Sequence, residues 1–319
     1  MAATWGSTVE LRTLKLRAEL LRDIRQFFYD RDVLEVTTPS LGAAGVSDLH
    51  LKNLTLDVAG QTGFLQTSPE YAMKRLLAAG SGAIYELGPA FRKGESGQRH
   101  HFEFTMLEWY RPGFSLAEIM AETEALLTEL LPGMPELQCL EYKTVFEEFT
   151  GINPHTATIA RLQQVVRECG VDDSHIDSHD DTGCLGDYLD LLFSSLVEPH
   201  LSHKVVVDFP ACQAALARLK NNSAGETVAA RFEMYIRGME ITNGYDELGD
   251  SVELRHRFEL NNELRARRCL PQIAPDEKLL AALPFMPQCS GVAMGFDRVL
   301  MIRADLDDIS QVIHFTRDF

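Results

Sequence analysis

Basic side chains gather in a short polar segment of the sequence, between two stretches that are rich in apolar residues. Because arginine can grip two phosphate oxygens at once, several cationic groups at the tip of a predicted hairpin favour a polyphosphate ligand. The alternative is a surface hairpin with a charged tip, and this segment alone leaves both interpretations open. The cationic residues are Arg92, Lys93, Arg99, His100 and His101.

The residues that follow this segment alternate as a β-strand does. At a period of two, Phe104, Met106, Glu108 and Tyr110 fall on one face. An aromatic ring, a carboxylate and a phenol on the same face are unusual for a simple core. They predict a pocket that holds an aromatic base beside a substrate with an ammonium group.

Three glutamates, Glu233, Glu240 and Glu247, follow one another at intervals of seven residues. If a strand carries Glu233 and a turn at 237–238 returns the chain, Glu233 and Glu240 can face each other. Carboxylates that are brought together repel and normally need a cation, for which magnesium on ATP is the usual choice. The segment therefore predicts a magnesium site, with solvent-exposed glutamates on strand edges as the alternative.

The segment 291–298 places small residues before the predicted start of a helix, with Arg298 in its first turn. Glycines let a ligand approach the backbone, and the arginine can reach a phosphate or stack on a base. No Gly-Lys-Ser/Thr sequence follows, which excludes a Walker A loop. No βαβ unit surrounds the segment, which argues against a dinucleotide fingerprint.

The hydrophobic pattern predicts the elements that must position these groups. Helical spacing predicts an amphipathic helix near 10–31, followed by a β-rich stretch that ends at Pro39. A meander is predicted over 41–66, two strands over 84–111, and further helices over 71–79, 116–131 and 252–268. The region 135–225 is rich in short predicted helices, and its His175 and His179 are interpreted as part of a solvated acidic loop. We therefore expect an α+β fold, mostly antiparallel sheet flanked by helices, in one domain over 1–319 with a helical insertion at roughly 135–225.

Composition narrows the class of protein. The 319 residues include 30 basic and 47 acidic ones, a net charge of −17 that disfavours broad binding to nucleic acid through phosphates. Six scattered cysteines without a C-x-x-C pair argue against a zinc ribbon or a disulfide scaffold. Neither a membrane-length apolar run nor a secretory signal is present, so we expect a cytoplasmic enzyme without a membrane partner.

Together these segments resemble, in order, the three signature motifs of class II aminoacyl-tRNA synthetases. The first helix with Val36-Thr37-Thr38-Pro39 is similar to motif 1, the dimer-forming element. The segment 92–108 resembles motif 2, and 291–298 resembles motif 3. The resemblance covers nearly the whole chain, and EFTMLEWY at 103–110 is similar to the lysine-specific members.

A lysyl-tRNA synthetase carries an anticodon-binding barrel before this helix, and because the helix is predicted to begin near residue 10 we expect no such barrel here. The chain therefore resembles the truncated paralogues of that enzyme, on the segments TSPEYAMKRLL at 67–77 and CSGVAMGFDR at 289–298. Ala293 stands where lysyl-tRNA synthetases usually have glycine, which is consistent with a β-amino acid in the pocket. Lys93-Gly94 and His101-Phe102 replace an Asn-Glu and an Asn-Pro pair, so Glu95 is expected to contact the adenine edge instead.

The resemblance implies activation of lysine or (R)-β-lysine by ATP and Mg²⁺, through an aminoacyl-adenylate. Arg92 and Arg298 would be catalytic, and Phe104 and Arg298 would sandwich the adenine. The implied ATP-binding set is Arg92, Lys93, Gly94, Glu95, Arg99, His100, His101, Phe104, Glu240, Ile241, Gly295 and Arg298. The implied substrate pocket is Ser68, Pro69, Glu70, Glu108, Tyr110, Asn243, Glu247 and Ala293, and the implied magnesium ligands are Glu233 and Glu240.

The resemblance also implies a protein acceptor, a lysine side chain of translation elongation factor P, with a homodimeric enzyme and no tRNA. Two alternatives remain at this point. One is a truncated synthetase-like enzyme that acts on a small molecule or an RNA, and the other is an inactive regulatory paralogue. The inactive paralogue is disfavoured because a decayed enzyme usually loses some catalytic residues, and this chain keeps Arg92, Glu233, Glu240 and Arg298.

Overall fold

The structure of the chain, a computed structural model, describes residues 6–174, 176 and 184–316. The predicted acidic loop with His175 and His179 therefore lies outside the described residues, apart from its first few positions. The helices are α1 (Leu11–Tyr29), α2 (Glu70–Ala78), α3 (Leu116–Leu130), α4 (Tyr142–Thr150), α5 (Ile159–Cys169), α6 (Cys184–Leu192), α7 (Ser251–Arg267), α8 (Glu277–Ala282) and α9 (Phe296–Ala304). The strands are β1 (Leu34–Glu35), β2 (Leu41–Gly42), β3 (Thr55–Val58), β4 (Gln61–Leu65), β5 (Ile84–Phe91), β6 (Glu103–Pro112), β7 (Gln138–Glu141), β8 (Lys204–Pro210), β9 (Leu219–Asn221), β10 (Thr227–Tyr235), β11 (Glu240–Asp246) and β12 (Cys289–Gly295).

The chain divides into two compact units. The first comprises residues 1–134, 249–258 and 273–319, and the second comprises 135–248 and 259–272. Helix α7 contributes residues to both. The expectation of a single domain with an insertion at roughly 135–225 stays a prediction.

The first unit is built on a sheet in the order β1-β5-β6-β12. Strand β1 is parallel to β5, and the other pairs are antiparallel. A smaller antiparallel sheet, in the order β2-β4-β3, corresponds to the meander predicted over 41–66. The β-rich stretch before Pro39 is extended as a strand only over Leu34–Glu35.

Helix α1 covers one face of this sheet, as its amphipathic pattern predicts. It buries Leu20, Ile24 and Phe28 among other residues. The Phe28 ring stacks on Tyr85 of β5 at 4.4 Å between centroids and lies 5.6 Å from Trp109 of β6. Burying an aromatic side chain of this size stabilises the fold by about 2–3 kcal/mol. We call the face that carries Tyr85 and Trp109 the back face of the hairpin β5–β6, and the opposite face its front face.

The second unit is built on a sheet in the order β11-β10-β8-β7, with β9 paired to β10. The pair β7–β8 is parallel, and β10 is antiparallel to β11, β8 and β9. Helices α4, α5 and α6 bury their apolar stripes with this sheet, and the Tyr142 ring stacks on Phe193 at 4.7 Å. Strands β7 and β8 lie in the region that the sequence predicted as helical.

Mostly antiparallel sheets flanked by helices confirm the predicted α+β class. Within the part of the chain that the structure describes, no helix combines the length and the apolar character that crossing a membrane requires.

Candidate active site

The front face of the hairpin β5–β6 carries a row of residues that runs across three strands of the first unit. Glu108 lies directly opposite Glu86 of β5 on one side and Ala293 of β12 on the other. Residues opposite each other in antiparallel strands share a face, with Cβ atoms about 5 Å apart. The substitution that the sequence singled out, Ala293, is therefore a direct neighbour of the carboxylate predicted to bind an ammonium group.

The alternation predicted for β6 is confirmed on this face. Tyr110 donates its hydroxyl hydrogen to the Glu108 carboxylate, two residues away along the strand. Only 3% of Glu108 and 2% of Tyr110 is exposed. A carboxylate removed from water in this way favours a cation as its partner, which is the chemistry of a substrate ammonium.

Glu86 belongs to the same row, although it was not among the predicted site residues. The backbone N–H of Thr38 donates to its carboxylate at 2.9 Å, so Glu86 connects the segment before Pro39 with the hairpin. Burial raises the pKa of the Glu86 carboxyl, against hydrogen bonds from Thr38 and Gln66 that lower it. The only signal in the sequence is a charged residue within the apolar run 84–87, which does not distinguish a site residue from an edge residue.

The start of α2 places Ser68, Pro69 and Glu70 together. Ser68 Oγ accepts the N–H of Glu70 at 3.3 Å, and Pro69 is the residue that precedes the first helical turn. The Glu70 carboxylate is paired with Lys74 one turn later, at 2.7 Å between Oε1 and Nζ. Lys74 is buried, so the ion pair holds the Glu70 side chain in place. The Lys74 ammonium also offsets the negative charge of the Glu70 carboxylate. The spacing of four residues on a helix is the signal from which this pair could have been predicted.

Arg92 lies at the end of β5, where the predicted phosphate loop begins. Its Nε donates to the Thr67 carbonyl at 3.4 Å, and its Nη1 lies 3.5 Å from Glu95 Oε1. The guanidinium lies over the Phe104 ring, 5.0 Å from the centroid. The structure therefore brings together three of the predicted ATP-binding residues, Arg92, Glu95 and Phe104.

A second group of predicted residues meets at the far end of the loop. Arg298, in the first turn of α9, donates from Nη2 to His100 Nε2 at 2.7 Å and from Nε to the Arg99 carbonyl at 3.5 Å. An arginine only donates, so His100 must be neutral, with its proton on Nδ1. Partial burial and the adjacent Arg298 cation lower the pKa of His100, in agreement with that state. The motif 2 and motif 3 segments thus converge on one cationic group.

Backbone contacts give the loop 92–102 its shape. Lys93 N–H donates to the Lys52 carbonyl at 2.8 Å, and Ile309 N–H donates to the Gln98 carbonyl at 2.8 Å. Gly94 has a φ of 84°, a conformation that favours glycine. His101 turns back on its own strand, with Nδ1 2.7 Å from the Glu103 carbonyl. The structure therefore does not place His101 with His100 and Arg298.

Gly295 ends β12 beside the same group. A Cβ built there would lie 3.4 Å from the Arg298 side chain. That distance is at the lower limit of ordinary van der Waals contact, so Gly295 packs closely against the Arg298 side chain. Ala293, two residues earlier, is half-buried on the front face.

In the second unit, the Glu233 carboxylate is enclosed by donors. It forms an ion pair with Arg231, accepts the hydroxyl of Tyr235, and accepts Asn243 Nδ2 at 3.2 Å. Burial alone lowers the pKa of Arg231, but the Glu233 charge outweighs it and keeps that pKa above its usual value. Arg231 and Tyr235 lie two residues from Glu233 on either side, a spacing from which this contact could have been predicted.

The expectation that Glu233 and Glu240 face each other is wrong. The predicted turn at Arg237-Gly238 does form, with positive φ at both residues. A two-residue turn at this place pairs Tyr235, rather than Glu233, with Glu240. A bulge then shifts the register, so that Glu233 lies opposite Asn243. Within the described residues, no group of three or more His, Cys, Asp or Glu side chains is arranged to hold a metal ion.

The remaining predicted residues of the second unit follow from this register. Asn243 Oδ1 is buried and has no hydrogen-bond partner, so it can accept an ammonium hydrogen. Glu240 is partly exposed at the start of β11, and Ile241 and Glu247 are buried. Roles of Glu240, Ile241 and Glu247 in ligand binding stay predictions.

Comparisons with known proteins agree with the resemblance found in the sequence. The family described as tRNA synthetases class II (D, K and N) matches residues 6–318. Three curated relatives, each named elongation factor P–(R)-β-lysine ligase, match the chain over nearly its full length. The protein of Pseudoalteromonas translucida (strain TAC 125) is 44% identical over 322 residues, 98% of this chain and 97% of the relative.

The two other relatives show similar values. The protein of Haemophilus influenzae (strain PittGG) is 42% identical over 324 residues, 98% of each chain. That of Actinobacillus succinogenes (strain ATCC 55618 / DSM 22257 / CCUG 43843 / 130Z) is 43% identical over 325 residues, 98% of this chain and 97% of the relative.

Proposed function

The chain belongs to the class II tRNA synthetase family of the D, K and N type, and we propose that it activates (R)-β-lysine, or lysine, with ATP. It then transfers the activated amino acid to a lysine side chain of translation elongation factor P. The structural observation that supports activation is the contact of Arg298 with His100, which joins two cationic segments beside the front face. The acceptor is supported by the names of relatives that align over 98% of the chain. Since the acceptor is a translation factor, a cytoplasmic location and independence of tRNA are part of the proposal.

In the first step, a carboxylate oxygen of the amino acid attacks the α-phosphorus of ATP, and pyrophosphate leaves. Charge neutralisation and positioning carry most of such catalysis. In this proposal Arg92 holds the α-phosphate with the attacking carboxylate, while Arg99, His100 and Arg298 hold the departing phosphates. The neutral His100 adds no charge of its own but fixes the direction of Arg298.

The amino acid is held through its ammonium groups. Glu108, supported by Tyr110, accepts one of them on the front face. Ser68 and Glu70 at the start of α2 complete the proposed set of acceptors on the first unit, and the roles of Asn243 and Glu247 stay predictions. In the second step the neutral amine of the acceptor lysine attacks the adenylate carbonyl carbon and an amide bond forms. AMP leaves with the bonding electron pair, and its phosphate oxygen takes the proton that the amine loses.

Magnesium is the other group that the family implies. Glu233 does not fit as a ligand, because Arg231, Tyr235 and Asn243 already occupy its oxygens and the arginine charge opposes a metal ion. Glu240 fits better, since Mg²⁺ often takes one or two carboxylates and completes its shell with phosphates and water. We therefore retain Glu240 alone as a proposed ligand and assign no step to the ion.

Intact-protein mass spectrometry tests the proposed function directly. Purified elongation factor P is incubated with the enzyme, ATP, magnesium and either α-lysine or (R)-β-lysine. The expected result is a gain of one lysyl residue, larger with the β isomer and absent when the acceptor lysine is replaced by arginine. Pyrophosphate exchange without this gain would move the search to another acceptor, and no exchange with either isomer would contradict the proposal.

Ala293 should control the choice between the isomers, because its methyl group lies next to Glu108 across the β6–β12 pair. Replacing Ala293 with glycine is expected to lower the ratio of kcat/KM for (R)-β-lysine over α-lysine about tenfold, the usual effect of one methyl group in a pocket. Exchange kinetics with each isomer give this ratio, and the KM for ATP serves as the internal control. An unchanged ratio would show that Ala293 does not determine the choice between the two isomers.

A homodimer is also part of the proposal, and the exposed surface of α1 and β1 supports it. Tyr29 is 75% exposed and Leu34 57% exposed. Strand β1 is an edge of its sheet, and unpaired edges are ready to associate across a two-fold axis. We expect this surface to form the interface.

Replacing Leu34 with lysine is therefore expected to convert the dimer to a monomer, because it places a charge in an apolar contact. Sedimentation velocity measures the change at a concentration where the wild type is dimeric. Leu56→Lys, at an exposed leucine on β3, is the matched control and should leave the dimer intact. A dimer that survives Leu34→Lys would contradict this location of the interface.

A further inference from the structure

Three side chains form a closed set of polar contacts on the back of the first unit's sheet. Arg17 of α1 donates from Nη1 to Asp297 Oδ1 at 2.7 Å and from Nη2 to Thr105 Oγ1 at 2.6 Å. The other oxygen of Asp297 accepts the backbone N–H of Thr105 at 2.6 Å. We call Arg17, Thr105 and Asp297 the back clasp. It joins the three segments that resemble motifs 1, 2 and 3.

The back clasp is largely shielded from water. The side chain of Asp297 is 3% exposed and that of Arg17 is 23% exposed. The Arg17 guanidinium also lies over the Phe296 ring, 4.8 Å from its centroid. Charge-assisted hydrogen bonds in such surroundings are strong and directional, and removing one partner leaves the other charge uncompensated.

The back clasp lies just beyond the end of the pairing between β6 and β12. The pairing of β6 with β12 ends at Met106 and Gly295, and α9 begins at the next residue. Beyond that last pair, the contact of Thr105 with Asp297 continues to hold the two segments together. The clasp therefore fixes the separation of β6 and α9 at the point where the strand ladder no longer does.

The residues next to the clasp are the ones assigned to ATP. Phe104 precedes Thr105 and lies on the front face, and Arg298 follows Asp297 in the first turn of α9. Consecutive Cα atoms are about 3.8 Å apart, so a fixed Thr105–Asp297 contact limits how far Phe104 and Arg298 can separate. We propose that Arg17 is a positioning residue that sets the spacing between Phe104 and Arg298 from the opposite face of the sheet. This inference rests on the proposed function, because it takes ATP as the ligand between these two groups.

A merely structural role for Arg17 would lower stability and leave the kinetic constants of the folded enzyme unchanged. A positioning role changes the KM for ATP more than the KM for the amino acid, because Glu108 and Ala293 lie within the β6–β12 ladder and are held by strand pairing. The two roles therefore differ in a measurable split between substrates. Misplacement of a binding group by about 1 Å can cost about 100-fold in rate, so the effect should be well above error.

The test is ATP–pyrophosphate exchange by Arg17→Met, at a temperature where its circular dichroism spectrum matches that of the wild type. We expect the KM for ATP to rise about tenfold while the KM for (R)-β-lysine stays within about twofold. Arg17→Lys should restore part of the loss, since an ammonium can still reach Asp297. Arg12→Met is the matched control, because Arg12 lies on the same helix in an ion pair with Glu10 that is exposed to solvent.

Thr105→Val adds an independent check, because it removes the acceptor for Arg17 without changing the charge. The double variant with Arg17→Met should be no worse than Arg17→Met alone, since both changes break one network. Equal rises in both KM values, additive effects, or unchanged kinetics in a folded Arg17→Met enzyme would overturn the inference. If the wild type itself fails to exchange pyrophosphate, the proposed function fails instead, so the two failures are distinguishable.

Discussion

Replacing Arg298 with alanine is expected to lower ATP–pyrophosphate exchange by about 1000-fold, at the upper end of what removing one preorganised donor to a developing charge costs. The guanidinium joins the loop 92–102 to α9 through His100 and Arg99, so the variant loses a phosphate ligand and the contact that orients the loop. The protein should stay folded, because Asp297 and the apolar residues of α9 hold that helix in place.

Arg303→Ala is the matched control for this variant. Arg303 is an exposed residue in the last turn of the same helix, and it should retain wild-type exchange. Thermal unfolding of both variants verifies the fold. Exchange activity retained in Arg298→Ala would refute the assignment of this segment to the phosphates.

The second large effect is expected at Glu108. Replacing Glu108 with glutamine should raise the KM for the amino acid about 100-fold. A buried site that is built to accept hydrogen bonds from an ammonium loses most of its preference when the charge is removed. Glutamine has nearly the same size and can still accept the Tyr110 hydroxyl, so the pocket keeps its shape. The KM for ATP should change little, because the phosphate-binding residues lie at the other end of the hairpin.

Glu103→Gln provides the comparison for Glu108→Gln, since Glu103 is an exposed glutamate on the same strand. Amino-acid-dependent exchange at varied substrate concentration separates the two constants. A Glu108→Gln enzyme with a normal amino-acid KM would show that the ammonium is bound elsewhere.

Much of the first unit could be predicted from local patterns. A period of two placed Glu108 and Tyr110 on one face of β6, and a hydrogen bond between them confirms it. The helical stripe of α1 and the short helix α2 were predicted to within two residues. These features depend on residues close in the sequence, where spacing and geometry are related directly.

Other features depend on partners that are distant in the sequence. Arg17 and Asp297 are 280 positions apart, and no spacing rule connects them. Glu86 meets Thr38 only because β1 lies beside β5. The error at Glu233 has a different cause: the turn forms as predicted, but it pairs Glu240 with Tyr235, and a bulge then places Glu233 opposite Asn243.

The row Glu86–Glu108–Ala293 has a consequence for the charge balance of the pocket. Burial raises the pKa of Glu86, so this carboxyl keeps its proton over a wider range of pH than an exposed glutamate does. An arriving ammonium lowers the pKa of a neighbouring carboxyl, so substrate binding and proton release are thermodynamically linked. Binding of the proposed substrate ammonium should therefore favour the ionised form of Glu86.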